Sequence, residues 1–353
     1  MNKTYRWMLP AVAAAALVGC GDDDKPVSTD AEFRTDVIAA MQASISANLA
    51  ALVTAAQALQ DAAPTHAWDL TTATDKAALV AMKAAWRDTR IAYEHVEGAT
   101  APIFSDLDFT MDARWEDYVG ELTAPDPDLF DDTGVTGMHG IERILFSDQI
   151  RDTVTAAEQA LPNYAPASFP TTDADAMRFK TKLVAKLITD ARSLHDQWTP
   201  AQIDLDFAFD GLVGLMNEQG EKVNLAATGD EESRYANITL FDLRNNLAGT
   251  TTIYGLFSPW IRAKDGGPAH DDSVKAKFAV LAALYDATPG DAIPAVPADW
   301  KALDPSPEDL ATPFGVLWKT VHEDVDPATA TSIVFEMQTI SADVLKLKQL
   351  PAE

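Results

Sequence analysis

From Asp30 onward, apolar residues return at Phe33, Val37, Met41, Ile45, Leu49, Leu52, Val53, Ala56 and Leu59, and the stripe stops before Pro64. Spacings of three and four place these side chains on one face of a helix, whereas a strand would need alternation in twos. The same period carries Leu79, Met82, Trp86, Tyr93 and Val96 in a second helix that begins near Thr74 and Asp75 and stops at Ala101-Pro102. It returns over 173–198 through Met177, Leu183, Leu187 and Leu194, and after Pro200 through Phe207, Leu212, Leu215 and Met216 to about Leu225. Later helices are expected over 240–263, 272–287, 307–321 and 326–350. Strand-like alternation is almost absent, so the expected fold class is all-α, a bundle or a pair of bundles.

Two stretches interrupt this pattern. Residues 102–135 hold turn formers and the acidic run from Asp106 to Tyr118, a connection long enough to suggest a functional loop. Pro162, Pro166 and Pro170 mark an irregular crossover and the best boundary between two halves, 31–160 and 161–353. The pair Glu94-x-x-Glu97 near the end of the second helix is echoed by Glu218-x-x-Glu221 in the second half. Duplication would explain the echo, and chance recurrence in so acidic a chain explains it as well.

The first nineteen residues read as an export signal. Lys3 and Arg6 precede an apolar stretch from Trp7 to Val18, too short for a mature membrane span, and Leu17-Val18-Gly19-Cys20 follows. The pattern resembles a bacterial lipoprotein signal, which implies lipid on Cys20, the sole cysteine, and hence an envelope location in the periplasm. Residues 20–30, rich in Asp with Gly and Pro, form the expected flexible tether. No intrachain disulfide is available, so the core must supply the stability. The formal net charge of -27 repels phosphate backbones and anionic lipid, which argues against nucleic acid as a partner and suits cations.

One short run carries chemistry. Gly137-Met138-His139-Gly140-Ile141-Glu142 opens an expected helix over 136–146, in which His139 and Glu142 project from one face a turn apart. That is a two-ligand metal half-site. A single imidazole with several carboxylates accepts Fe, Mn, Zn or Cu and does not by itself choose among them. Arg90 and Arg143 are placed to neutralise a buried carboxylate cluster.

Several runs together resemble the imelysin-like family and, within it, the EfeO-type iron-uptake lipoproteins. They are Trp86-x-x-x-Arg90-x-x-Tyr93-Glu94-x-x-Glu97, Ser105-Asp106-Leu107-Asp108, Met111-Asp112-Ala113-Arg114 and Gly137-x-His139-x-x-Glu142-Arg143. In the second half, Asn217-Glu218-x-x-x-Lys222, Gly229-Asp230-Glu231-Glu232-Ser233-Arg234-Tyr235, Asp242-Leu243 and Asn245-Asn246-Leu247-Ala248-Gly249 continue the match. The resemblance implies two similar helical bundles related by an internal pseudo-repeat, with a metal site near their junction. It further implies His139 and Glu142 as ligands, completed by Glu94 or Glu97 and Asp112, with Arg90, Arg143 and Asp108 around them. The cargo would be iron, with zinc or copper as alternatives, and the partner an inner-membrane iron permease. The alternative reading is an imelysin-type metallopeptidase. However, H-E-x-x-H is absent, and Arg143 stands where an inverted zinc motif needs a second His. A di-iron oxidase would want two Glu-x-x-His pairs, and the chain has neither.

Overall fold

In the computed structural model, residues 28–349 are described; the export signal, Cys20 and most of the 20–30 tether lie outside them. Thr29 starts the first helix: its hydroxyl accepts from the Glu32 amide while Glu32 accepts from the Thr29 amide. Helix α1, Asp30–Ala62, buries Val37, Met41, Ile45, Leu49, Leu52, Ala56 and Leu59, nearly the whole stripe read from the sequence. By length and composition α1 is apolar enough to cross a membrane. Its apolar face is packed against α2, Ala73–Glu94, and joins the central core. Each such buried Leu, Ile or Met contributes about 1.5–3 kcal/mol of transfer free energy, so this face holds the first group of helices together.

The chain continues through α3, Glu97–Thr100; α4, Ser105–Asp112; α5, Trp115–Glu121; α6, Gly137–Leu145; and α7, Asp152–Gln159. Then come α8, Asp173–Arg178, and α9, Val184–Gln197, joined by a wider turn at Phe179–Leu183 into the continuous helix expected over 173–198. The second half comprises α10, Leu205–Leu225; α11, Thr239–Arg262; α12, Gly267–Ala287; α13, Pro307–Leu310; α14, Pro313–Val325; and α15, Ile333–Thr339. No strand occurs among the described residues, and the fold is all-α.

Helices α1, α2, α4, α6 and α9 pack on one another, and α10, α11, α12, α14 and α15 form a second group. Helix α9 follows the proline-marked boundary at 160/161 in sequence yet packs on α1, α4 and α6. The groups meet where α10 and α11 cross α3, with α11 also against α1 and α2.

The structure departs from the expected helices at several points. The second helix breaks at His95-Val96, so Glu94 ends α2 and Glu97 begins α3. There the His95 backbone lies against Gly249 of α11, and a Cβ on that glycine would stand 2.5 Å from His95 Cα. The 102–135 connection contains α4 and α5. Pro313 divides the helix expected over 307–321. The helix expected over 326–350 begins only at Ile333, where the Ser332 hydroxyl caps it, and ends in a wide turn over Ile340–Leu345.

Candidate metal centre

Gly137 sets the position of the motif helix. Its φ of 78° lies in the left-handed region, and an added Cβ would stand 2.6 Å from the Met111 carbonyl oxygen. Glycine therefore lets the start of α6 lie directly on the end of α4, which brings His139 beside Asp112. The Trp86 indole of α2 donates to the Met138 carbonyl at 2.9 Å and ties α6 to α2 as well.

His139 and Glu142 do project together, and both are buried. They face each other: His139 Nδ1 is 2.8 Å from Glu142 Oε2. The other Glu142 oxygen accepts the backbone N–H groups of Tyr235 and Ala236, at 3.0 and 2.8 Å. Both Glu142 oxygens are thus engaged in orienting neighbours. His139 Nε2 points the other way, 3.5 Å from Asp112 Oδ1, and is buried with no hydrogen-bond partner. Burial, reinforced by the charge of Arg90, pushes the His139 pKa well down, while burial pushes Glu142 well up. A hydrogen bond of 2.8 Å joins Nδ1 to Oε2. An imidazole gripped at one nitrogen and unpartnered at the other is prepared to bind a cation.

Around Nε2 stands a dense set of carboxylates. One donor atom each from Asp112, His139 and Glu232 lie within 4.8 Å of one another, and so do atoms from Glu94, Glu97, Asp112 and Glu232. Arg90, wholly buried, forms ion pairs with Glu94 and Asp112, lies 2.6 Å from Glu232, and reaches Asp242 at 3.5 Å. Lys222 Nζ lies 2.5 Å from Glu232 Oε2 and 4.0 Å from Glu97 Oε1, and donates to Asn246 Oδ1 at 3.0 Å. The Asn246 amide donates to Glu94 and, at 2.8 Å, to Glu97. Despite the break in the backbone, Glu94 and Glu97 thus converge on one group.

Two buried cations do not balance so many acids. Burial raises Glu94 and Asp112 well above the usual carboxylate range despite Arg90. Asp242, buried beside the same guanidinium, is raised to about 6. Asp108, part-buried and near Glu97, also rises to about 6, chiefly through desolvation, while accepting the Tyr93 hydroxyl. Burial acts on Glu232 too, but Lys222 and Arg90 outweigh it and hold that carboxyl below its ordinary value.

Part of the cluster opens on a cleft of about 480 Å³, which Glu97, Asp112, Lys222 and Glu232 line while His139 and Glu94 stand behind them. Asp108, Asp112, Glu218, Glu221, Lys222 and Glu232 are among its walls. Burial raises Glu218 to about 7, with Lys222 partly offsetting it. Glu97 of the first echoed pair and both residues of the second, Glu218 and Glu221, line this one cleft.

The structure brings together His139, Asp112, Glu94 and Glu97, with Asp108 at the rim and Arg90 between the carboxylates. Glu142 stands behind the imidazole. Arg143 is directed elsewhere: it pairs with Glu158 at 2.9 Å and lies over the Trp115 ring, 3.8 Å from its centroid. Because Glu158 also accepts the Tyr235 hydroxyl, Arg143 braces the loop whose amides hold Glu142. Sequence reasoning did not single out Glu232, Lys222, Asp242 or Asn246 as site residues, although all four fall in the matching runs. The clue available was an acidic pair, Glu231-Glu232, in a run containing Gly, Asp and Ser, where a carboxylate comes from a loop rather than a helix face.

Sequence comparison relates the chain to known proteins. The iron uptake system component EfeM of Pseudomonas syringae pv. syringae is 29% identical over 216 residues, 61% of this chain and 61% of that protein. An Efem/EfeO family lipoprotein of Staphylococcus aureus is 28% identical over 183 residues, 52% of this chain and 51% of the relative. The chain thus spans between half and two thirds of the length of these relatives. The family model described as Peptidase_M75, imelysin, matches residues 45–309, a span that holds every residue of the cluster. With its all-α fold and most of its length within that match, this chain belongs to the imelysin family.

Proposed function

We propose that this protein binds a transition-metal ion, iron in the first instance, at His139, Asp112 and Glu232, and serves iron uptake as an envelope lipoprotein. The observation that carries the reading is the buried, unpartnered Nε2 of His139, aimed at Asp112 while Glu142 holds the opposite nitrogen. Nitrogen and carboxylate oxygen suit Fe, Zn and Cu alike, and the names of the two relatives favour iron. Glu94 and Glu97 group with Asp112 and Glu232 and not with His139. The ion is cargo: the open cleft gives it a way in and out, and the surplus of acid attracts it. Lipid on Cys20 would hold the body at a membrane, and Cys20→Ala should then abolish correctly processed lipoprotein.

Metal analysis of protein purified without a polyhistidine tag, followed by titration with Fe(II) or Zn(II), tests the reading. The ion should raise the melting temperature of the wild type, since about 2.7 kcal/mol is added at a ligand concentration about 100 times Kd. His139→Ala should keep wild-type helicity but show no rise on adding metal, whatever its own metal-free melting temperature. Wild-type stoichiometry and thermal shift in His139→Ala would place the ion elsewhere.

A further inference from the structure

The donor atoms at and behind the cleft fall into two groups that share Asp112 and Glu232. One group adds His139, the other adds Glu94 and Glu97, and within each the atoms are close enough for a single ion. Judged by carboxylate chemistry alone, both groups would fill, giving two ions bridged by shared carboxylates, an arrangement that helical bundles support. The groups differ in what already occupies them. In the first, His139 Nε2 is buried and has no hydrogen-bond partner. In the second, positive charge is built in: Lys222 Nζ stands 2.5 Å from Glu232 and 4.0 Å from Glu97, and the Arg90 guanidinium engages Glu94, Asp112 and Glu232.

The two cations are not equivalent. Arg90 is wholly buried, touches both groups through Asp112 and Glu232, and also reaches Asp242, so much of the interior depends on it. Lys222 arrives from α10, on the opposite wall, and its charged contacts are Glu97 and the shared Glu232. It also lines the cleft, so an ion entering from solvent meets the place its ammonium fills.

Resting on the metal-binding reading above, we infer that Lys222 limits the centre to a single metal ion. Its ammonium is a resident cation that satisfies the second ligand group and keeps incoming metal at His139. Without it, Glu97 and Glu232 lose a counter-charge in a buried setting that solvent cations can reach, and a second ion becomes the available means of neutralisation. A salt bridge that served stability alone would make no difference to how many ions bind.

The experiment is a metal count. Wild type, Lys222→Met, Lys222→Gln and Lys222→Arg are saturated with Zn(II), or with Fe(II) under anaerobic conditions, freed of excess metal and analysed by mass spectrometry. Circular dichroism monitors the fold. Lys222→Met keeps the length of the side chain, and Lys222→Gln keeps a polar group for Asn246, so the count is taken on whichever neutral variant retains wild-type helicity. Wild type and Lys222→Arg should hold about one equivalent and the neutral variants about two, because only the latter lose the cation between Glu97 and Glu232. Adding Glu97→Gln to the neutral variant should return the count to about one. A folded neutral variant that stays at the wild-type count overturns the inference and leaves the His139 site standing. A wild type that already holds two ions does the same. A wild type that binds none removes the metal-binding reading itself, and the inference falls with it.

Discussion

His139 Nδ1 and Glu142 Oε2 lie 2.8 Å apart within one turn of α6, both withdrawn from water, while the second Glu142 oxygen is fixed by two backbone amides of the 235–236 segment. A residue spaced as a ligand therefore lies where it fixes the ring plane of its neighbour by a hydrogen bond. With the ring hydrogen on Nδ1 toward Glu142, the lone pair that a metal needs falls on Nε2.

Glu142→Gln tests this relationship. The amide oxygen can still accept from Tyr235 and Ala236, which leaves the side-chain NH2 facing His139 Nδ1. That favours a lone pair on Nδ1 and a hydrogen on Nε2, the wrong tautomer for a ligand. Metal affinity should fall by about 10–100-fold while helicity is retained. An unchanged binding isotherm by titration calorimetry would show that Glu142 does not orient the ring.

Arg90→Met should be costly. It leaves Glu94, Asp112 and Asp242 buried without the guanidinium that pairs them, and breaking a buried ion pair from one side costs about 3–5 kcal/mol. Urea denaturation of metal-free protein measures the loss, and saturating metal should recover part of it by supplying positive charge to the same carboxylates. A loss below about 1 kcal/mol, typical of exposed pairs, would contradict the packing described.

Metal-free and metal-loaded protein should respond oppositely to acid. Asp108 and Asp242 have folded pKa values of about 6, and Glu218 of about 7, all above their unfolded values. Between the unfolded and folded values the native state binds more protons, so these groups stabilise the apo fold at low pH and lose that effect as pH rises through 6 to 7. His139, His95 and His322, held low by burial, act in the other direction, but the raised carboxyls, which also include Glu94, Asp112 and Glu142, outnumber them. The apo protein should therefore melt higher near pH 5.5 than near pH 7.5. The loaded protein should melt lower at the acidic pH, because protons compete with metal for the same atoms. Parallel profiles with and without metal would separate the acidic cluster from the binding site.

Gly137→Ala should disturb the site from a distance. The substitution places a side chain at a φ of 78° and drives its Cβ toward the Met111 carbonyl. Backbone strain of this kind costs about 1–3 kcal/mol, and relief requires α6 to move off α4, separating His139 from Asp112. Both the melting temperature and metal affinity should drop. A fall in stability with affinity intact would mean that α4 follows α6 and the ligands stay together.

Periodicity and capping are local properties, and they determined most of what the chain forms by itself. The stripe from Val37 to Leu59 became the buried face of α1, and His139 with Glu142 came to lie one turn apart because three residues advance a helix by nearly a full turn. Tertiary structure decided what those side chains face. Glu142 meets the amides of a loop more than ninety positions away and becomes an orienting group. Glu232 enters from that same loop to complete the carboxylates, and Lys222 and Asn246 reach them from α10 and α11. The continuous second helix expected from its apolar stripe breaks where α11 lies against His95. The physical reason is range. Hydrophobic period and helix caps act over about one to three turns, whereas a ligand set depends on which backbones approach closely enough, and exclude enough water, to make a buried charge seek its partner.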